Sequence, residues 1–168
     1  PTGGALHDYV IWATELPGIS RAWAFDCWHG LGTVGLAWVY DQRTDIIPTG
    51  TDRESMQAYL FRHQDPATGT YVGKPGGIEV WPIPLTLKPV PLTIRIIPDT
   101  AAIRSAVTLS LQALFRSVSP GDTLLLSAIR TAIGSSTGVT DYELDLTTNQ
   151  ASENYELLTL GAVTWRIV

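Results

Sequence analysis

In Gly30-Leu31-Gly32-Thr33-Val34-Gly35-Leu36-Ala37-Trp38-Val39-Tyr40, three glycines at G-x-G-x-x-G spacing lead into a run of branched and aromatic residues. That spacing is the mark of a dinucleotide-binding turn only when the third glycine opens a helix, whose N–H groups and dipole receive the pyrophosphate. The residues after Gly35 alternate with a period of two, so a strand follows and no anion site is formed. Upstream, Trp23, Phe25 and Cys27 alternate with Ala22, Ala24 and Asp26, which predicts a strand over Arg21–His29. Two strands joined by a glycine-rich link make a β-hairpin, with Gly30, Gly32 and Gly35 as turn and fold markers at positive φ.

On the N-terminal side, Pro1–Gly4 is expected to be a flexible lead-in. Leu6, Tyr9, Val10 and Ala13 fall at helical spacing, and Pro17-Gly18 ends that helix. On the C-terminal side, Thr51 and Glu54 have capping-box spacing ahead of Met56, Tyr59, Leu60 and His63, predicting a helix over 52–64. Residues 65–77, dense in glycine, predict a loop, and 78–83 a strand. The prolines at 82, 84, 89 and 91 predict a connector or an edge segment. Leu92–Ile97 then reads as a strand. Ile103, Ala106, Val107, Leu111, Leu114, Phe115 and Val118 form one apolar stripe of a helix over 100–118. A short helix over 127–133 and strands over 139–146 and 158–168 complete the chain.

The fold class is therefore α+β: two small α+β domains, residues 1–88 and 89–168, each with a few-stranded, mostly antiparallel sheet packed against two helices. Both halves hold a helix, a glycine-led turn and a pair of strands, with too little identity to assert a repeat. A length of 168 residues suits this organisation.

Apolar residues make up 45% of the chain and charged residues only 16%, below the usual ~25%. Such lightly charged surfaces suit a protein packed against neighbours. The net charge of −5, with basic residues scattered from Arg21 to Arg166, argues against nucleic-acid binding. No apolar run reaches the ~18 residues of a membrane span. The single Cys27 excludes an internal disulfide framework and suits synthesis in a reducing cytoplasm. The chain begins at Pro1, without an initiator Met, which predicts a segment cut from something longer or processed.

The remaining motifs fail on chemistry. Gly69–Lys74 is one residue short of a P-loop, and Pro75 stands where a magnesium-binding hydroxyl is required. Cys27 and His29 share a strand face, but Cys27 falls with Trp23 and Phe25, where a small buried hydrophobe is the default, and no third group orients the histidine. One cysteine and the separated His7, His29 and His63 offer no zinc-ligand spacing. Asp141, Glu143 and Asp145 line one strand face but lack the glycine and the final glutamate of a calcium loop. They read as a solvated face, with Tyr142, Leu144 and Leu146 turned inward, or as an acidic docking strip for a basic neighbour. Of the six tryptophans, Trp23, Trp38 and Trp165 fit core positions, Trp28 falls on the opposite, exposed face, and Trp12 and Trp81 have no pattern to place them.

The run Asp8-Tyr9-Val10-x-Trp12-Ala13-x-Glu15-x-Pro17-Gly18-Ile19-x-Arg21-Ala22-Trp23, followed by the glycine hairpin, resembles the baseplate J-like family of contractile-tailed phages. Pro98-Asp99-Thr100-Ala101-Ala102-Ile103-Arg104, Pro120-Gly121-Asp122-Thr123-Leu124-Leu125-Leu126-Ser127 and Leu160-Gly161-x-Val163-Thr164 continue the likeness in order. The resemblance spans nearly the whole chain and corresponds to the C-terminal part of a typical member.

It implies a non-enzymatic wedge subunit of the tail baseplate, without a cofactor, made in the bacterial cytoplasm and incorporated into the virion tail. Its partners would be other baseplate proteins and neighbouring copies of itself. It would hold wedges together and help transmit the rearrangement that starts sheath contraction. The glycine-rich stretch from Phe61 to Trp81, longer than the family's usual link, is a place where a specific neighbour could be chosen. The candidate assembly surface is thus Trp28, Tyr71, Lys74, Asp141, Glu143 and Asp145. A wedge of a non-phage contractile injection system, or a carbohydrate- or receptor-binding module using the tryptophans, are the rival readings. The isolated chain is expected to be monomeric or weakly associating.

Overall fold

In the first helix, α1 (Leu6–Glu15), the apolar positions Tyr9, Trp12 and Ala13 recur on one face and are buried. Its N-cap residue, Ala5, has no side-chain acceptor. Asp8 compensates, its Oδ2 accepting hydrogen bonds from the backbone N–H groups of Gly4 and Ala5, both at 3.0 Å. These features come from a computed structural model that describes residues 4–167. The predicted lead-in at residues 1–3 and the strand end at 168 lie outside the described residues. The chain divides into two units, one ending at Pro84 and one beginning at Leu85. Among the described residues they hold four helices and small sheets of two or three strands, a mixed α+β fold in two parts.

In unit 1 the chain turns at Pro17-Gly18 into β1 (Arg21–Asp26), which pairs antiparallel with β2 (Thr33–Val39) from Arg21↔Val39 to Asp26↔Val34. β1 stops three residues short of the strand predicted by alternation. Cys27 takes a positive φ of 50° and leaves the sheet, so period-two reasoning does not extend to it. Every residue of β2 is buried, as befits the middle strand of a three-stranded sheet. Helix α2 (Gly50–Phe61) follows and ends three residues before the predicted end at 64, because His63–Gln64 forms the two-residue strand β3, which pairs with β4 (Tyr71–Val72) of the predicted loop in a small hairpin. β5 (Glu79–Pro82) joins β2 in parallel. Tyr9, Trp12, Leu36, Trp38, Met56 and Leu60 dominate the core.

α2 begins two residues earlier than its sequence spacing suggests. The N-cap is Thr49, whose Oγ1 accepts from Asp52 N at 3.2 Å while Asp52 Oδ2 accepts from Thr49 N at 2.8 Å. Thr51 lies inside the helix and Glu54 is solvent-exposed. Arg43 fixes the choice: its guanidinium forks onto both Asp52 oxygens at 2.6 and 3.1 Å.

Unit 2 is organised by β6 (Thr86–Ile97), a twelve-residue strand that contains Pro89 and Pro91 instead of beginning after them. Proline has no N–H to give a ladder, and the topology makes room for that. On one side β8 (Asp141–Leu144) pairs only with Ile94–Ile97, leaving the prolines unflanked. On the other, the parallel ladder with β10 (Glu156–Trp165) shifts register between Leu160 and Val163. Gly161 sits in that bulge, where a Cβ would approach Val90 C to 2.9 Å. The sheet order is β10-β6-β8, so each three-stranded sheet has one antiparallel and one parallel pairing. Helices α3 (Ala101–Phe115) and α4 (Leu126–Gly134) bury Val107, Leu111, Phe115, Ile129 and Ile133 together with Val90, Leu92, Ile94 and Leu157. The strands β7 (Thr123–Leu124) and β9 (Gln150–Ala151) close a two-residue ladder beside them.

Candidate assembly surfaces

The glycine hairpin is a turn in the way its sequence requires. Gly30 and Gly32 adopt φ of 97° and 76°, a region that costs an L-residue Cβ contact with backbone. Thr33 Oγ1 locks the turn by accepting from His29 N at 2.9 Å and donating to Gly30 O at 2.6 Å. Gly35 has a different job from the positive-φ role foreseen for it. It lies within β2, and a Cβ there would stand 2.6 Å from Trp28 Cγ and 2.7 Å from Ile83 Cδ1. The indole of Trp28 thus folds back over Gly35 and is half-buried, not a freely exposed platform. Beside it the His29 ring lies 4.3 Å from that of Trp81. Leu31, at the tip, is 94% exposed.

Cys27 is exposed, contrary to its predicted place in the core. Partial desolvation and then the neighbouring Asp26 carboxylate push its thiol pKa up, away from the thiolate a nucleophile needs. The tryptophans redistribute as well. Trp12 joins Trp38 in the core, whereas Trp23 and Trp165 are only half-buried, each with an arginine (Arg21 and Arg104) over its ring.

Tyr71 belongs to β4 of the small hairpin and Lys74 follows two residues after it. Tyr71 is 64% exposed, and the Arg62 guanidinium lies 4.3 Å from its ring centroid. Lys74 is half-buried and its Nζ donates to Ile78 O at 2.6 Å, so it closes its own loop before it could meet a neighbour. A shallow groove of about 350 Å³ runs past Gln57, Lys74, Glu79 and Trp81.

Below this hairpin lies a polar network that sequence spacing does not show. Tyr59 Oη donates to Glu15 Oε2 at 2.5 Å, and His63 Nε2 stands 3.3 Å from the same oxygen. His63 Nδ1 lies 2.8 Å from Tyr59 O, and because a carbonyl can only accept, Nδ1 is the donor of that bond. The Tyr59 and His63 rings stack at 3.9 Å, and Trp12 meets His63 edge-on. Burial, then Glu15, raises the Tyr59 pKa well beyond the usual phenol range. The network fastens the end of α1 to α2 and β3.

In unit 2, Asp141, Glu143 and Asp145 are exposed along β8 and just beyond it. Glu143 is held by Arg95 at 2.9 Å, its direct cross-strand partner, and by Arg166 at 2.5 Å. Arg166 also reaches Asp145 at 3.3 Å. The two arginines depress the Glu143 pKa. Two of the three carboxylates therefore already have cationic partners within the chain. The six candidate surface residues are divided between the units, with Trp28, Tyr71 and Lys74 in the first and the carboxylates in the second. Among the described residues no group of His, Cys, Asp and Glu is arranged to hold a metal, and no helix is long and apolar enough to cross a membrane.

Comparison with known proteins matches both units. A family model described as the baseplate J-like central domain matches residues 1–84, and one described as the baseplate J-like protein C-terminal domain matches residues 90–166. The chain is 42% identical over 167 residues to baseplate protein gp47 of Escherichia phage Mu, covering 98% of this chain and 46% of that protein. It is 38% identical over 168 residues to the Mu-like prophage FluMu protein gp47 of Haemophilus influenzae, covering 98% and 47%. It is 33% identical over 167 residues to the putative protein JayE of Escherichia coli, covering 98% and 60%. The chain spans about half the length of the first two relatives.

Proposed function

The chain belongs to the baseplate J-like family, and on that footing we propose that it is a structural part of a phage tail baseplate, located in the virion tail. The observation that carries this reading is the succession of central and C-terminal domain matches along the two units, together with relatives named as baseplate proteins. Within the baseplate it joins neighbouring wedge components and passes on the rearrangement that starts sheath contraction. It works through surfaces and not through a reaction. The tip at Leu31, the hairpin around Tyr71 and the acidic strand are such surfaces, each small. Small contacts repeated around a closed ring suffice, because closure makes later contacts effectively intramolecular.

Three of the tryptophans offer no free platform to a sugar, since Trp12 and Trp38 are core residues and Trp28 covers Gly35. Deleting this segment from a phage that carries it tests the proposal. Particles with filled heads and no complete baseplate are expected; tails that assemble and contract normally would contradict it.

A further inference from the structure

At the base of the unit 1 hairpin is a cavity of about 230 Å³, bounded by Gly4, Leu6, Tyr9, Asp26, Gly32 and Ile78. It is smaller than the ~300–1,000 Å³ of small-molecule pockets and several times the ~30 Å³ of a water, a size that suits the end of one long side chain. Tyr9 lines it, is fully buried, and its hydroxyl has no hydrogen-bond partner among the described residues. A buried hydroxyl left unpaired is costly and calls for a partner from elsewhere. Asp26, exposed at the end of β1, makes no ion pair among the described residues and takes only the Cys27 thiol. Among the described residues no lysine or arginine lines the cavity. A carboxylate and a phenol oxygen lining one cavity receive a cationic N–H donor best.

Most basic side chains of this chain are already engaged. Arg43 and Arg104 hold Asp52 and Asp99, Arg95 and Arg166 hold Glu143, and Arg53, Lys74 and Lys88 donate to carbonyls. Arg130, by contrast, is exposed on α4 and has neither an ion pair nor a hydrogen bond among the described residues. Its neighbours on that helix face at i−3 and i+4 are Ser127 and Gly134, small enough for another surface to come close. Unit 1 supplies the complementary sign, with nine Asp and Glu against five Lys and Arg up to Pro84.

We propose that Arg130 of one copy enters the Tyr9–Asp26 cavity of a neighbouring copy. This rests on the baseplate reading and gives it a specific contact between copies. The planar guanidinium offers several N–H donors, enough to pair with the carboxylate and satisfy the tyrosine oxygen together. The two patches differ, so the contact is made either reciprocally in a two-fold pair or head to tail around a ring, and the stoichiometry at saturation distinguishes the two.

Sedimentation equilibrium of the chain and four variants tests the contact. Wild type should self-associate weakly, with a dissociation constant of roughly 100 µM. Asp26→Arg and Arg130→Asp, both at exposed positions that keep the thermal midpoint, should each weaken association about tenfold, and the double variant should restore it. Tyr9→Phe should weaken association about threefold without lowering the thermal midpoint, because it removes a hydroxyl that is unpaired in the free chain. Single reversals without effect, a double variant that stays weak while folded, or a wild-type chain monomeric up to about 1 mM would each overturn the contact. Those results leave the baseplate reading standing, since that reading is decided separately by where the segment sits on intact tails.

Discussion

The indole of Trp28 lies across Gly35, so closely that a Cβ on the glycine would be 2.6 Å from the tryptophan Cγ. Gly35→Ala should therefore destabilise the chain by about 1–3 kcal/mol through overpacking, read as a lower urea midpoint. In a Trp28→Ala background the same substitution should cost about 1 kcal/mol less. Equal costs in both backgrounds would show that the indole does not lie there.

The Glu15–Tyr59–His63 network predicts a second loss. Tyr59→Phe keeps the ring that stacks on His63 but deletes the donor to Glu15 Oε2. A stability loss of about 1–3 kcal/mol is expected. A change indistinguishable from zero in denaturant melts would remove the network from the account of how α1, α2 and β3 are joined.

Acid should loosen the start of α2. The Arg43 guanidinium, followed by the Thr49 cap bonds, holds the Asp52 carboxyl below its ordinary pKa. A depressed folded-state pKa means that the unfolded chain binds the proton first. The stabilisation is thus complete above the unfolded value of about 4 and fades as pH falls below it. Asp52→Asn should lower stability at pH 7, and its gap from wild type should shrink as pH falls from about 5 toward 2. A gap that stays constant across that range would contradict the pairing.

Cys27 should react with a thiol reagent in the native chain, because its side chain is exposed at the turn after β1. The reaction at pH 8 should be slower than for free cysteine, since its raised pKa leaves less thiolate. Asp26→Asn should speed it up. Labelling only after denaturation would place the residue back in the core.

What the sequence could show was local. The alternation on both sides of the glycines specifies two strands, and the absence of a helix after Gly35 excludes a nucleotide turn, both from contiguous residues. Where distant partners decide, the sequence is silent. Thr49–Asp52 and Thr51–Glu54 have equivalent cap spacing, and Arg43 selects between them across a loop. Pro89 and Pro91 look like strand breakers, yet the register shift opposite them and the shortness of β8 admit them into β6. Two-residue strands such as β3 and β4 are too short to show a period. The acidic row was visible along β8, but its neutralisation depends on cross-sheet register, which brings Arg95 opposite Glu143. Trp28 looked exposed by alternation because the chain leaves the strand at Cys27, one residue before it.

The most direct test of the baseplate reading is electron microscopy of intact tails labelled with an antibody against this segment. Label confined to the tail tip is the result the account predicts. Label along the sheath or on the head, or none on any tail, would contradict it.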